Sequence, residues 1–430
     1  MSAERVAYLN ARLLDPATGL DAPGALLVQD GRIADVGPHL FKDGAPSVSK
    51  VVDCKGLCLA PGLVDMRVQL REPGEEHKET IRTASEAAAA GGVTTMVSLP
   101  NTNPVIDDVS VVEFVARRAQ EAGRINVRCY GSVTRGMRGE ELTEMGLLAE
   151  AGALGFTDGT RAVASSLVMR RALSYAKGFG LMIIQHPEDP ALAGDGAMNE
   201  GEIATRLGLS AIPADAEVIM IERDLRLVAL TGGRYHAAHV STAAAIEVVR
   251  RAKASGLKVS CDTAPHYFAL NETAVGEYRT FAKVSPPLRS EDDRRAVVDG
   301  LADGTIDAIA SDHAPHDQDS KRLPFEQAAF GAVGLETLLP LTLELVHNGR
   351  LSLLDAVRRL STAPAALLGL PAGTLRRGAP ADFVLFDPEK PWLIEEKKLR
   401  SKSKNSPYDA RPVQGQVART VVGGRTVFHA

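Results

Sequence analysis

The sequence has few of the features that mark secreted or membrane proteins. Only 4 of its 430 residues are cysteines, and because they form no paired CxxC motifs, reduced thiols in a cytosolic protein are predicted. The amino terminus lacks the long apolar core of a secretory signal. No uninterrupted apolar stretch reaches membrane-spanning length. These absences predict a cytoplasmic protein that is not inserted in a membrane.

Basic residues are not in excess either. The chain has 49 Lys and Arg against 54 Asp and Glu, for a net charge of −5, and it has no long basic run, so nucleic-acid binding is not expected. The GxGxxG pattern and the phosphate loop are both missing. The remaining composition, 45% hydrophobic and 24% charged, is typical of a soluble globular protein.

The middle of the chain alternates strand-like and helix-like segments. Helix-like stretches such as "SVVEFVARRAQEAG" close on glycine, a common helix stop. Strand–helix alternation predicts a parallel sheet with right-handed crossovers. Eight units over about 300 residues fit a (β/α)8 barrel, with a doubly wound open sheet as the rival. The candidate strands are "GLVDMRV", "VTTMVSLP", "INVRCYGSV", "ALGFTD", "GLMIIQH", "YHAAHVS", "LKVSCDT" and "IDAIASDH".

Both ends of the chain are rich in short strands and turns instead. The Gly423-Gly424 pair near the carboxyl end lies between two β-branched runs and signals a hairpin. We therefore predict an α/β protein in which residues 61–365 form a (β/α)8 TIM barrel. Residues 1–60 and 366–430 are predicted to form a small β-sandwich domain from both chain ends.

Polar side chains concentrate where the predicted barrel strands end. Because functional side chains of such barrels come from the carboxyl ends of the strands, these residues are expected to share one site. The set includes five of the ten histidines, and four members have the ligand chemistry of Zn²⁺ or a similar divalent ion: Asp158, His186, His239 and Asp312. In chain order the set is Arg67, Gln69, Arg71, Asn101, Asp158, His186, His239, His266, Asp312, His313 and His316.

Several of these residues have a structural alternative when taken alone. Asp312 has the chemistry to ligate a metal or move a proton, but aspartate also caps helices. Arg71 offers a planar fork for a substrate carboxylate, or forms a salt bridge between loops. Asn101 in "LPNTNP" lies between prolines, where an asparagine can instead serve to stabilise a turn.

The order and spacing of the motifs resemble the dihydroorotases, in the type I branch of the cyclic amidohydrolase family, over nearly the entire chain. The resemblance implies an amidohydrolase-type barrel beside a small β-sandwich. It also implies reversible hydrolysis of L-dihydroorotate to N-carbamoyl-L-aspartate in de novo pyrimidine biosynthesis, with zinc as cofactor. The matching stretches include "PGLVDMRVQLREPG", "AGGVTTMVSLPNTNPV", "HPED", "AHVST", "PHYF", "PPLR", "SDHAPH", "FGAVGLET" and "SKSKNSPY".

The resemblance also implies residue roles. No lysine occurs from Gly131 to Ala176, which argues against a hydantoinase with a carboxylated lysine between its metals. In its place Asp158 is the implied bridging or ligating carboxylate. The other implied roles are metal binding by His186 and His239, acid/base catalysis and metal binding by Asp312, and substrate binding by Arg71, Asn101 and His316.

Two departures from the family pattern bear on activity. Arg67-Val68-Gln69 stands where the family has HxH, which removes two imidazole ligands of the first metal and adds a permanent positive charge. We hypothesise that Arg67 pairs with Asp158 or Asp312 and replaces the charge of that metal. One zinc ion is then expected, with two or none left open. Ser285 stands where relatives carry an asparagine that contacts substrate.

Three functions remain open from the sequence. The first is a dihydroorotase with a reduced metal site, acting on dihydroorotate and carbamoyl aspartate. The second is a non-catalytic dihydroorotase-like protein that supports aspartate transcarbamoylase in a mixed oligomer. The third is another cyclic amide hydrolase, which an intact Arg71 disfavours. A homo-oligomer is also expected.

Overall fold

The structure, a computed structural model, describes residues 5–41 and 48–430. Its strands in chain order are β1 (Arg5–Asp15), β2 (Leu20–Gln29), β3 (Arg32–Gly37), β4 (Lys50–Asp53), β5 (Cys58–Pro61), β6 (Leu63–Val68), β7 (Val93–Ser98), β8 (Asn126–Cys129), β9 (Met182–Gln185), β10 (Met198–Asn199), β11 (Ala211–Ile212), β12 (Arg234–Ala237), β13 (Val259–Thr263), β14 (Ala308–Ile309), β15 (Phe383–Leu393), β16 (Pro412–Val422) and β17 (Arg425–His429).

The α-helices are α1 (Ile81–Ala90), α2 (Val109–Ala122), α3 (Met145–Glu150), α4 (Ser166–Gly178), α5 (Pro190–Ala193), α6 (Glu202–Leu207), α7 (Asp215–Thr231), α8 (Ala243–Ala254), α9 (Pro265–Ala269), α10 (Glu291–Asp303), α11 (Gln318–Lys321), α12 (Leu338–His347), α13 (Leu353–Val357) and α14 (Ala363–Leu368). Short 3-10 segments lie at Arg135–Met137, Glu272–Val275, Thr280–Ala282 and Glu396–Lys398, and a π-helical segment at Arg358–Thr362.

The middle strands close into a parallel barrel. β6 pairs with β7 and β7 with β8, while β9, β12, β13 and β14 pair in that order. Parallel bridges from Phe156 to Gly131 and Ile183 join the two sheets, and a bridge from Val68 to His313 closes the circle. All eight predicted strand segments therefore take part, and closure excludes the open doubly wound sheet.

Local sequence signals fix the helices between these strands. Thr80 caps the start of α1 in a reciprocal capping box with Thr83, and Asp108 caps the start of α2 by accepting from the Ser110 amide. α2 ends at Gly123 in the left-handed conformation, φ 60°, which glycine adopts without steric penalty. These short, capped helices return the chain to the start of each next strand.

Strands from both chain ends form one eight-stranded sheet. Its order is β17-β16-β15-β5-β1-β2-β3, with β4 pairing β1 in parallel, and β16 and β17 form the hairpin predicted at Gly423-Gly424. The sheet buries its own apolar cluster, which includes Leu13, Leu26 and Phe383. Both ends thus build one β-unit, as expected; the division of the chain at residues 60/61 and 365/366 remains a prediction.

The four cysteines are buried free thiols, and burial raises the pKa of Cys54 to about 12 and of Cys58 to about 11. None of the helices in residues 5–41 and 48–430 is both long and apolar enough to cross a membrane.

Glu336 joins the barrel to the segment that precedes β16, and it predicts a pH effect on stability. Its Oε1 accepts from the backbone amides of Arg400 and Ser401, and burial raises the pKa of its carboxyl to about 7 from 4.5. Because the folded chain then binds the proton more tightly than the unfolded chain, stability contributed by protonated Glu336 is present below pH 4.5 and lost as the pH rises through 7.

We compare the free energy of unfolding of the unchanged chain with that of Glu336→Gln, and we expect the difference to fall by about 3 kcal/mol between pH 4.5 and pH 8. Glutamine keeps an acceptor for the two amides but does not titrate, so the difference isolates Glu336. Urea unfolding of both proteins at the two pH values measures it. A difference that stays constant, or rises with pH, would contradict the assignment.

Candidate active site

The carboxyl ends of the barrel strands surround a small polar cavity. It has a volume of about 240 Å³, which suits a small-molecule ligand rather than a polymer. Most of the residues predicted at the strand ends meet there, together with Phe330 and Gly331 of a loop after α11. The lining residues are Arg67, Gln69, Arg71, Asn101, Thr160, Ser285, Asp312, Ala314, His316, Phe330 and Gly331.

Arg67 points into this cavity and forms an ion pair with Asp312. Its Nε lies 2.8 Å from Asp312 Oδ1, and its Nη2 donates to the carbonyl of Gly159 at 3.3 Å. Both side chains are almost fully buried. Burial raises the pKa of the Asp312 carboxyl, and the Arg67 guanidinium opposes that rise. Of the two partners considered for Arg67, the structure selects Asp312.

The second oxygen of Asp312 is not part of this ion pair. Oδ2 lies 3.7 Å from Nε2 of His266, whose pKa is lowered to about 3, first by burial and then by the charge of Arg67. His266 is therefore a neutral ring beside the carboxylate. Asp312 keeps one oxygen able to accept a proton from a molecule in the cavity.

Gln69 and Asn101 hold each other at the edge of the cavity. The Nδ2 of Asn101 donates to Oε1 of Gln69 at 3.0 Å. The amide of Gln69 thus orients the side chain of Asn101, and both residues line the cavity. Asn101 lies in the loop after β7 and lines the cavity; its role in substrate binding remains a prediction.

Arg71 and His316 lie side by side at one end of the cavity. Nη2 of Arg71 lies 3.0 Å from Nε2 of His316, and Nε of Arg71 donates to the carbonyl of Pro315 at 3.1 Å. Nη1 pairs with Glu75 at 3.1 Å. Burial, followed by the charge of Arg71, lowers the pKa of His316 to about 2, so this ring is neutral. Arg71 is a buried cation rather than a surface one.

His186 and His239 converge, whereas Asp158 turns elsewhere. Nδ1 of His186 lies 2.9 Å from Nε2 of His239. Both oxygens of Asp158 are engaged by Thr134, which donates its backbone amide at 2.9 Å and its hydroxyl. Burial raises the pKa of the Asp158 carboxyl to about 6. Of the three predicted ligands of one metal, His186 and His239 therefore lie together, and Asp158 is hydrogen-bonded to Thr134 instead.

Three site residues adopt the left-handed backbone conformation that side chains disfavour. The φ angles are 61° at Arg71, 40° at His239 and 49° at Asp312. Such conformations persist only when surrounding contacts enforce them, and they cluster at functional sites. For His239 the enforcing contact is Asp262, whose Oδ1 accepts from the His239 amide at 2.6 Å.

One residue beside the site, Glu188, was not singled out from the sequence. Oε1 of Glu188 lies 3.4 Å from Ser285 Oγ and 3.7 Å from His186 Nε2, in a second cavity of about 580 Å³ on the far side of His186. The sequence feature that could have identified Glu188 is the motif "HPED", which places this carboxylate two residues after the strand-end histidine.

His313, which was predicted at a strand end, points away from the cavity and lies 3.5 Å from Glu79.

Comparison with known proteins identifies the family of the chain. A sequence model described as Dihydro-orotase-like matches residues 56–245, and one described as Amidohydrolase family matches residues 231–428. The chain is 50% identical to a dihydroorotase of Anaplasma phagocytophilum, over 99% of this chain and 95% of that protein. The chain belongs to the dihydroorotase family.

Other relatives of this dihydroorotase-family chain extend the comparison. A dihydroorotase of Pelobacter propionicus is 48% identical over 97% of this chain and 98% of that protein. Among solved structures, L-hydantoinase (dihydropyrimidinase) from Arthrobacter aurescens superimposes with a TM-score of 0.88, at 27% identity, over 99% of this chain and 96% of that one. These matches confirm the amidohydrolase-type barrel.

Members of the dihydroorotase family are metal-dependent hydrolases, and the two halves of this site fit a metal differently. At one end the buried guanidinium of Arg67 is paired with Asp312, so a dication beside it would meet repulsion. At the other end Nδ1 of His186 and Nε2 of His239 form a hydrogen bond of 2.9 Å, and imidazole nitrogens are of the ligand type that zinc takes. Within residues 5–41 and 48–430, no three His, Cys, Asp or Glu side chains are gathered as a complete ligand set.

Proposed function

We propose that this chain catalyses the reversible hydrolysis of L-dihydroorotate to N-carbamoyl-L-aspartate in the cytoplasm. The observation that supports the proposal most strongly is the placement of Asp312 and the Arg71–His316 pair around one cavity of about 240 Å³. The reaction adds water across a ring amide: a C–O bond forms at the carbonyl carbon, the ring C–N bond breaks, and the nitrogen takes up a proton.

Substrate binding is assigned to the Arg71 side of the cavity. The guanidinium presents N–H groups and a positive charge to the carboxylate on the substrate ring. His316 beside it is neutral, so Arg71 alone supplies the positive charge that the substrate carboxylate balances. Asn101 and His316 supply the neutral polar contacts that fix the ring. This geometry orients the reacting amide towards Asp312.

Proton transfer is assigned to Asp312. Its Oδ2 is positioned to take a proton from the attacking water and to return it to the departing nitrogen, as a carboxylate does in general acid–base catalysis. Arg67 holds Oδ1 and so fixes the carboxylate in one orientation. The same guanidinium contributes positive charge near the carbonyl oxygen, where negative charge develops.

We further propose one zinc ion per chain, held by His186 and His239, with Asp158 as the third ligand if it leaves Thr134. Bound there, the ion would supply electrophilic polarisation of the ring carbonyl. His239 is suited to the role because burial and the charge of Arg67 keep its pKa well below the usual range, so the ring is neutral. Two ions are not proposed, because Arg67 occupies the other half of the site.

The direct test is an assay of purified chain with L-dihydroorotate, with and without added Zn²⁺ and with and without aspartate transcarbamoylase. We expect ring opening by the chain alone, increased by Zn²⁺. Activity only with aspartate transcarbamoylase would make that enzyme a required partner, and no activity in any arm would overturn the proposal. Light scattering on the same samples tests the proposed homo-oligomer and the mixed assembly.

Arg71→Ala tests the substrate-binding assignment. We expect KM for dihydroorotate to rise about 100-fold, since a charge-assisted bidentate contact contributes about 3 kcal/mol, while kcat changes far less. Steady-state kinetics measures both constants. Arg411→Ala removes a comparable arginine–glutamate pair, 2.7 Å from Glu344 and outside the cavity, and should leave KM unchanged. An unchanged KM in Arg71→Ala would reject the assignment.

A further inference from the structure

The segment "SKSKNSPY", residues 401–408, runs from the terminal sheet back to the active site. Its exposure alternates: Ser401, Ser403 and Asn405 are buried, while Lys402 is exposed. Buried Glu79 anchors the segment, because it accepts from the Ser401 hydroxyl and the Lys402 amide. The chain is therefore held firmly before it reaches Asn405.

Asn405 uses its whole side-chain amide to join two loops of the cavity. Its Nδ2 donates to the carbonyl of Ala314 at 2.9 Å and to the carbonyl of Gly331 at 3.0 Å. Its Oδ1 accepts from the backbone amide of His316 at 3.0 Å. The side chain is 1% exposed, so no solvent competes for these three hydrogen bonds.

The first loop held by Asn405 orients Arg71. Asn405 bonds to Ala314 and to His316, the two residues on either side of Pro315, and the carbonyl of Pro315 accepts from Nε of Arg71. Any movement of this loop moves the acceptor that fixes the guanidinium. The position of Arg71 in the cavity thus depends on the position of Asn405.

The second loop held by Asn405 orients His316. Gly331 follows Phe330, whose carbonyl accepts a hydrogen bond from Nε2–H of His316 at 2.8 Å, so the 3.0 Å approach of Arg71 Nη2 to the same nitrogen is a contact and not a hydrogen bond. The two loops approach closely: Gly331 has φ 128°, and a Cβ added there would lie 2.5 Å from the Cβ of Ala314. Because so little space separates them, the amide that joins the loops also sets their spacing.

We propose that Asn405 is a positioning residue for the substrate carboxylate, acting through the Pro315 carbonyl on Arg71 and through the Phe330 carbonyl on His316. This inference rests on the proposed function, since it concerns the same substrate. It assigns to the carboxyl-terminal part of the chain, more than 300 residues from Arg71, a role in substrate affinity.

The test compares Asn405→Ala and Asn405→Ser with the unchanged chain, using L-dihydroorotate as the probe in calorimetric titration and in kinetics. We expect the Kd and KM to rise at least 10-fold, with kcat at saturation within threefold, because neither variant alters Asp312. Asn405→Ser is included in case Asn405→Ala does not fold, because serine retains one polar group that can bond to the loops.

Asn126→Ala is the matched control, because Asn126 also links the barrel to the terminal sheet, through Asp382 at 2.8 Å, but from the opposite ends of the strands. It should leave Kd unchanged. An unchanged Kd in both Asn405 variants, an equal rise in Asn126→Ala, or a loss confined to kcat would overturn the positioning role alone. Failure of the unchanged chain to bind dihydroorotate would instead overturn the proposed function, and with it this inference.

Discussion

Asp312→Asn is expected to lower kcat for dihydroorotate hydrolysis about 1,000-fold while changing KM little. An asparagine is nearly the same size as aspartate but cannot accept and return a proton, and general acid–base catalysis contributes a factor of about 10² to 10⁴. Substrate affinity should persist because Arg71 and His316 bind the other end of the cavity. Steady-state kinetics measures both constants. Activity close to that of the unchanged chain would remove Asp312 as the acid/base.

The same substitution has a second consequence, because it leaves the buried guanidinium of Arg67 without its counter-ion. Breaking a buried ion pair by removing one partner costs about 3–5 kcal/mol, so Asp312→Asn should also be easier to unfold. Kinetics must therefore be compared per folded molecule.

Asp224→Asn supplies the control for this loss of stability. Asp224 is also a buried aspartate paired with an arginine, 2.6 Å from Arg223, but it lies on α7 outside the cavity. It should lose comparable stability and keep kcat within a few-fold. A kcat that falls equally in both variants would assign the effect to folding rather than to chemistry.

Much of the fold was predictable from the sequence because barrel strands carry a local signal. Each apolar run is short, several of the helices between them end at a glycine, and the order of strands in a parallel barrel follows the order in the chain. The convergence of His186 and His239 follows from that order, since the carboxyl ends of the strands meet on one face.

The direction of individual side chains was not predictable in the same way. Asp158 was grouped with the histidines by its position after a strand, but its carboxylate bonds to Thr134, because a neighbouring amide and hydroxyl satisfy both oxygens. That choice depends on loop packing, which has no periodic signal. Whether Asp158 turns to a metal remains a prediction.

The hydrogen bonds from Asn405 to the loops of the cavity could not be predicted from the sequence either, although the motif "SKSKNSPY" is part of the family resemblance. Its three partners are 74 to 91 residues away along the chain. Nothing in the residue types of "SKSKNSPY" shows which loop the asparagine contacts. The exposed lysines of the segment predict a solvated surface, and the buried residues that alternate with them become evident only from the packing.

The double change Arg67→His plus Gln69→His is expected to raise the metal content from at most one ion per chain to two. It removes a fixed cation that repels a dication by roughly 4 kcal/mol per unit of metal charge at 4 Å, for an effective dielectric of about 20. It also supplies two neutral imidazoles and frees Oδ1 of Asp312, which Arg67 now holds at 2.8 Å. Elemental analysis after exhaustive dialysis against metal-free buffer counts the ions.

Arg128→His is the control for an added histidine alone, since Arg128 is an exposed residue of β8 and should leave the count unchanged. Arg67→His without the change at Gln69 should give an intermediate occupancy. One imidazole plus the carboxylate of Asp312 binds a metal more weakly than two imidazoles plus the same carboxylate. Two ions in the unchanged chain would show that the guanidinium does not exclude a metal. One ion in the double variant would show that Arg67 is not the group that limits occupancy, and the cause would then lie with Asp158, which Thr134 keeps from the site.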